Sequence, residues 1–485
     1  MRDCLNFVDG KFVETGIWFE NISPVNGEPI GRVAMADSTL VDFAVGAARD
    51  ATASLRALAP PGRAALLRNV AALIEDRFDE FVNAECLDTG KPHSEASSLD
   101  IPRAIANFRF FANLVEDESE SSFATGNADS ADAVNFIIRR PLGVVGIICP
   151  WNLPLLLLSW KVAPALACGN SVIVKPSEET PLSATLLAEV ISEVPLPRGA
   201  FNLLHGHGSG SVGEMLVVHS GVDAITFTGE SATGSKIMRA AAENTKALSF
   251  ELGGKNPAIV FDDADLDAAI RGTAKSAFTN SGQICLCTER VYVQRGVFDS
   301  FLDGLKRAAE VVVFDDPLTE SLQMGPLISK AHRDKVLGYC DLALKEGATL
   351  VTGGGIPCFF DERDSGFYIQ PTIWTGLSNS ARVVREEIFG PVCHVAPFDR
   401  EDEVIDLCND SVYGLAATVW TQDLDLAHKV AAELEVGMVW VNTWYLRDLR
   451  APFGGVKSSG IGREGGQYSL DFYAPPSNVC VSSDK

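Results

Sequence analysis

GVVGIICPWNLPLLLLSWKVAPALACGNSVIVKPSEETPLSATLLAEVISEV, residues 143–194, carries the pattern that decides the fold. Two short apolar runs rich in β-branched residues, GVVGIICP (143–150) and SVIVKP (171–176), each lead into a longer segment of helical character, 155–167 and 182–194. Such runs fit strands buried on both faces, and their alternation with helices is the mark of βαβ units on a parallel sheet. Downstream, FNLLHG (201–206) and AITFTG (224–229) read as a third and a fourth strand, and ATGSKIMRAAAEN (232–244) as the next helix. The expected unit is doubly wound, of the kind that binds dinucleotides.

A second α/β series begins near Gly253. NPAIVF (256–261) and RVYVQ (290–294) read as strands, DLDAAIRGTAKSAF (265–278) and FDSFLDGLKRAAEV (298–311) as helices. The acidic, Ser/Ala-rich stretch from Glu118 to Asn135 breaks the pattern and is expected to be a hairpin or an arm. Pro475 and Pro476 set off a strand-like tail, SNVCVSS (477–483). A chain of 485 residues exceeds one ordinary core, so two or three packed units are expected.

The formal net charge of −24 makes nucleic acid and anionic lipid poor partners. The N-terminal MRDCLNFVDGKFVETG lacks the apolar core of a signal peptide, and the longest apolar stretches fall well short of a membrane span. A soluble, cytoplasmic protein is expected. The 11 cysteines are odd in number and scattered, without CxxC pairs or zinc-type spacing, so neither a disulfide framework nor a metal site is expected.

Three segments carry candidate chemistry. In FTNSGQICLCTER (278–290), Cys285 follows a turn at the end of a helical run, where a thiolate nucleophile needs partial exposure. A cysteine by itself is more often buried packing. In FELGGKNP (250–257), Glu251 precedes two glycines and could act as a general base toward thiol or water. In PWNLP (150–154), the Asn152 amide could donate to a developing oxyanion, although turn formation is the commoner role. KPSEET (175–180) follows a strand, where Lys175 and Glu178 could hold ribose hydroxyls, and an acid there disfavours a 2′-phosphate. FTGESATG (227–234) joins strand to helix through glycines, as phosphate-facing turns do.

Together with EEIFGPV (386–392) and PFGGVKSSGIGREGG (452–466), these motifs resemble the aldehyde dehydrogenase superfamily, in its order and over nearly the whole chain. The resemblance implies an α/β fold with a Rossmann-like NAD-binding domain (1–117 and 139–252), an α/β catalytic domain (253–452) and a small β element (118–138 and 467–485) that joins copies into homodimers or homotetramers. It implies that Cys285 attacks the aldehyde carbon, that Asn152 and the Cys285 backbone N–H stabilise the oxyanion, and that Glu251 activates the hydrolytic water. NAD would be received by Ile148, Pro150 and Trp151 after the first strand and by Lys175, Ser177 and Glu178 after the second. Further contacts would come from Gly208, from Phe227, Gly229, Glu230 and Gly234 around the fourth-strand turn, and from Leu252, Glu387 and Phe389. Many members carry Ser where this chain has Glu230, and a carboxylate beside pyrophosphate is unfavourable unless it points away.

Within the superfamily, PWNLPLLLLSWK and WYLRDLRAPFGG most resemble the 2-aminomuconic and 2-hydroxymuconic semialdehyde dehydrogenases. That resemblance implies a substrate with an aldehyde at one end and a carboxylate at the other. Arg103, Arg109, Arg447 and Arg450 flank the expected pocket; by position, Arg103 and Arg447 would grip the carboxylate, with Asn152 assisting near the reacting end. The residues leave amino against hydroxy undecided. A cysteine hydrolase or acyl transferase is the competing enzyme class, but it would usually pair Cys285 with a histidine, and none of the seven lies in a recognisable motif.

Overall fold

The computed structural model describes residues 2–118, 121–127, 130–315, 317, 319 and 323–482. The strands expected from the 143–229 region form at Val144–Ile148, Ser171–Lys175, Phe201–Leu203 and Ala224–Thr228, joined by a fifth at Ala247–Glu251. Each of the five is wholly or mostly buried, in keeping with their mainly apolar composition. All four contacts among them are parallel. Antiparallel edge strands, Asn6–Val8 with Lys11–Val13 at one end and Gly460–Ile461 at the other, complete an eight-stranded sheet.

Helix Pro154–Ala167 is buried along its whole length, which accounts for its near-continuous run of leucines. It packs against the amphipathic helix Ile101–Asp117, which in turn lies on Pro60–Asp76. The second α/β series builds a seven-stranded sheet in the order 349–352, 372–375, 392–398, 288–294, 256–260, 416–420 and 438–441, parallel except for its first strand. The expected strands and helices of this series occur at Asn256–Val260, Thr288–Gln294, Leu266–Phe278 and Phe298–Glu310.

Of the two alternatives for Glu118 to Asn135, the hairpin forms. Ser121–Asn127 pairs antiparallel with Ser130–Arg139, and the tail strand Pro476–Ser482 adds to the other edge of Ser130–Arg139. Residues 119, 120, 128, 129 and 483–485 of these two segments lie outside the described residues. Residues Gly466–Tyr473 form a helix that packs on Pro154–Ala167 and Ile101–Asp117. No helix among the described residues is long and apolar enough to cross a membrane.

Candidate active site

From Val144–Ile148 the chain steps outward to 171–175 and 201–203, then returns to lay 224–228 on the other side of the first strand. At such a reversal the loops leaving adjacent strands diverge and open a crevice. Pro150, Trp151 and Asn152 leave one strand, Gly229 and Glu230 the next, and Leu252 the third. They line one wall of a cleft of about 390 Å³ whose other wall includes Cys285, from the turn before strand Thr288–Gln294, and Glu387 and Phe389, from the loop before strand Val392–Phe398.

Helix Leu266–Phe278 stops short of Cys285, and three consecutive residues with positive φ, Asn280 (49°), Ser281 (56°) and Gly282 (71°), swing the chain toward the cleft. A Cβ on Gly282 would lie 1.9 Å from the Gly390 carbonyl oxygen, so only glycine lets these two backbones touch. The Asn256 amide donates to the carbonyls of Cys285 and Cys287 at 2.7 and 2.8 Å, fixing the turn from below. Cys287 is buried, its thiol turned to the Thr279 carbonyl, whereas Cys285 is half-exposed at the cleft. Burial, and then the nearby Glu251 and Glu387 carboxyls, push the Cys285 thiol up to about 12, with Arg447 opposing. The resting nucleophile is therefore a thiol that needs a base.

Asn152 is held on both of its ends. Its side-chain N–H donates to the Gln283 carbonyl at 2.7 Å, leaving the second hydrogen of the same amide for a substrate oxygen. Its backbone carbonyl accepts from the Lys91 ammonium and from the Asn280 amide, each at 3.0 Å. Lys91 is fully buried and paired to Asp100 at 2.5 Å.

Glu251 ends the strand Ala247–Glu251 and does not line the cleft. Both of its carboxylate oxygens are buried without a hydrogen-bond partner. Burial, reinforced by the Glu464 carboxylate, holds its pKa well above the usual range, with Lys161, Arg447 and Arg463 opposing. Lys161 bonds Glu464 at 2.6 Å and Thr226 at 2.9 Å.

Outside the residues that line this cleft, where strand Ser171–Lys175 ends, the Lys175 ammonium reaches Glu178 at 2.6 Å, and His207 stands 3.6 Å from the same carboxylate. Ser177 is buried in the turn between them, Ile148 and Phe227 are core residues behind the crevice, and Gly208 sits in an open loop. Gly234 lets its helix close on Leu252, since an added Cβ would come within 2.7 Å of that side chain. Glu230 is exposed at the N-cap of helix Ser231–Ala241, makes no capping bond and lines the cleft. Glu387 accepts the Gly254 N–H at 2.8 Å, and burial raises its carboxyl to about 7.

The four arginines flanking the pocket divide into two kinds. Arg109 pairs with Glu75 and Arg450 with Asp448, all exposed. Arg103 and Arg447 have no carboxylate partner among the described residues. The Arg447 guanidinium lies 4.9 Å over the Trp160 ring and 3.9 Å over the Phe453 ring, and its buried Nη2 has no hydrogen-bond partner. Burial and the charge of Arg103 lower its pKa. Beside it, Leu153, Leu157, Ile284, Trp444 and Tyr445 form the apolar cluster on which Cys285 rests.

Residues 12–479 match the model of the aldehyde dehydrogenase family. The chain belongs to the aldehyde dehydrogenase family. It is 55% identical to a 2-aminomuconic 6-semialdehyde dehydrogenase of a Pseudomonas species, covering all of this chain and 99% of that one. It is 54% identical to a 2-hydroxymuconic semialdehyde dehydrogenase of Pseudomonas sp. strain CF600, covering 99% of this chain and all of the other. Among solved structures, an NAD+ complex of an aldehyde dehydrogenase from Bacillus cereus superposes with a TM-score of 0.95 at 39% identity, over all of this chain and 97% of that one.

Reading the sequence missed several residues of this aldehyde dehydrogenase's cleft. His332, from helix Lys330–Lys345, lines it, and its Nε2 meets the Phe389 carbonyl at 2.7 Å. Burial lowers the His332 pKa to about 4, so it is neutral, with its Nε2 already engaged by the Phe389 carbonyl. Tyr445 and the Lys161–Glu464 pair were also missed. His332 stands in no recognisable motif, whereas Tyr445, Lys161 and Glu464 lie within the motif segments, where local sequence gives no sign of the contacts their side chains make.

Proposed function

We propose that this aldehyde dehydrogenase uses NAD to oxidise a carboxylate-bearing semialdehyde, 2-aminomuconate or 2-hydroxymuconate 6-semialdehyde, to the dicarboxylic acid. The observation that carries the substrate assignment is Arg447. A buried guanidinium with an unpaired Nη2, next to a second unpaired arginine of like charge, is costly unless an anion comes to it. The names of the two muconic relatives agree with that anion being the substrate's own carboxylate.

The cleft fits the dinucleotide. It opens at the strand reversal, and Gly253 leaves room that a Cβ would fill, 2.2 Å from Glu387. Lys175, Ser177 and Glu178 would hold the adenosine ribose, Glu387 and Phe389 the nicotinamide end. When bound, NAD supplies the hydride acceptor. Cys285 releases its proton to solvent water, and its sulfur bonds the aldehyde carbon. The spare Asn152 N–H and the Cys285 backbone N–H receive the developing oxyanion. Loss of hydride from that carbon leaves a thioester on Cys285. Glu251, whose raised proton affinity makes it a strong carboxylate base once ionised, takes a proton from water as that water attacks the thioester. The acid departs and Cys285 recovers its proton.

In this reading residues 1–117 and 139–252 form the dinucleotide unit and 253–452 the catalytic unit. Residues 118–138 and 467–485 join copies through the tail strand, where Val479 and Val481 are exposed beside Phe136. The test is NADH formation from either muconic semialdehyde. Arg447→Ala should raise KM roughly thirtyfold or more, the cost of removing the partner of a buried charge, with a smaller effect on kcat. Oxidation of uncharged aldehydes with equal efficiency would overturn the substrate assignment.

A further inference from the structure

Phe389 forms part of the cleft wall with a φ of 63°, a backbone conformation that a bulky side chain adopts only when its surroundings impose it. The surroundings here are specific. The Glu289 carboxylate accepts the Phe389 N–H at 2.9 Å and the preceding Ile388 N–H at 3.1 Å. Glu289 is itself buried and ion-paired to the buried Lys255. On the other side, the His332 Nε2 meets the Phe389 carbonyl at 2.7 Å. Trp151 completes the arrangement, its ring 5.5 Å from that of Phe389 and 5.3 Å from that of His332. The N–H and the C=O of one strained residue are thus gripped by side chains from two different elements, strand Thr288–Gln294 and helix Lys330–Lys345.

We propose that Glu289 and His332 are positioning residues that clamp Phe389 from both ends and thereby fix the seat of the nicotinamide ring, an inference that rests on the cleft's being the dinucleotide site. His332 acts as an N–H donor, since burial keeps it neutral and a carbonyl can only accept. Its role is to hold a backbone conformation; it transfers no proton. Released from the clamp, residue 389 relaxes toward negative φ, the ring leaves the cleft wall, and the hydride acceptor loses its alignment with the Cys285 adduct.

The test uses the full-length enzyme with three variants: His332→Leu, which removes the donor; His332→Gln, which keeps an N–H donor; and Glu289→Gln combined with Lys255→Met, which avoids an unpaired buried ammonium. NADH affinity is read by fluorescence titration, and the hydride step by the single-turnover appearance of NADH. Hydrolysis of p-nitrophenyl acetate, which acylates Cys285 without cofactor, reports the integrity of the nucleophile. The clamp predicts that His332→Leu lowers the ratio of hydride rate to ester-hydrolysis rate by about tenfold, the scale expected of a misplaced reactant. It also predicts weaker NADH binding in His332→Leu, substantial recovery in His332→Gln, and a loss of the same kind in the double variant. An unchanged ratio and affinity in His332→Leu overturns the clamp, as does a parallel loss of ester hydrolysis, which would mark His332 as merely structural. Failure of the unmodified enzyme to bind NADH defeats the parent reading of the cleft instead.

Discussion

At the residue scale, the site's chemistry turns on two groups whose surroundings favour their protons. Cys285 is pushed up to about 12 and Glu251 well above a normal carboxyl, in both cases first by burial. Each is useful only after deprotonation, so kcat/KM should climb as pH rises through the neutral and into the alkaline range. A profile flat across that range would contradict this. Glu251→Gln should lower the steady-state rate by about 10²-fold or more, the usual scale for a lost general base. A first-turnover burst of NADH should survive in that variant, because the acyl group forms and then stalls. Glu230 lies at the mouth of a helix N-terminus where pyrophosphate would approach, and its exposed carboxylate opposes that charge. Glu230→Ser should therefore lower the KM for NAD by about two- to fivefold, the range of a single charge acting at a helix end. The gain should shrink as salt is added.

At the scale of elements, the parts of the fold legible in the sequence were those with one dominant physical cause. The strands 144–148, 171–175 and 224–228 are buried on both faces, so their composition alone marks them. The helix Gly466–Tyr473 escaped because its short sequence, GQYSLDFY, has little periodicity and is held by packing on Pro154–Ala167. The motif residues were legible because each stands at a turn or loop bordering a strand. The residues that support them were not: Lys91 reaches the Asn152 carbonyl from 61 residues away, and His332 reaches Phe389 from 57. Neither proximity leaves a trace in local sequence. The kinked turn at residues 280–282 is the element most exposed to small changes. Gly282→Ala puts a Cβ against the Gly390 backbone at a positive φ, and neither backbone can yield cheaply. It should destabilise the protein by roughly 1–3 kcal/mol and raise the KM for NAD as the 387–391 loop is displaced. Thermal melting and cofactor titration on the same sample would check both effects.

For the molecule as a whole, the buried acids beneath Asn152 shape the response of stability to pH. Glu85 and Glu95 are each raised from 4.5 to about 7, chiefly by burial, with Lys91 opposing. The folded state holds their protons more tightly than the unfolded chain. Their stabilising contribution is thus complete below about pH 4.5 and lost as pH rises through about 7, the reverse of the usual surface carboxylate. Glu85→Gln should flatten the decline in Tm over that window, by an amount on the order of 2 °C. The paired surface acids, such as Asp448 beside Arg450, act in the opposite direction at lower pH. The unpaired Arg447 has one more effect at this scale. The carboxylate it would grip in the substrate is still present after turnover, and oxidation adds a second carboxylate to the same molecule. Catalysis does nothing to loosen the grip, so the diacid should compete with fresh substrate for the vacated pocket. Steady-state turnover would then be governed by product departure, and the enzyme would slow as its own product accumulates, a built-in throttle on flux.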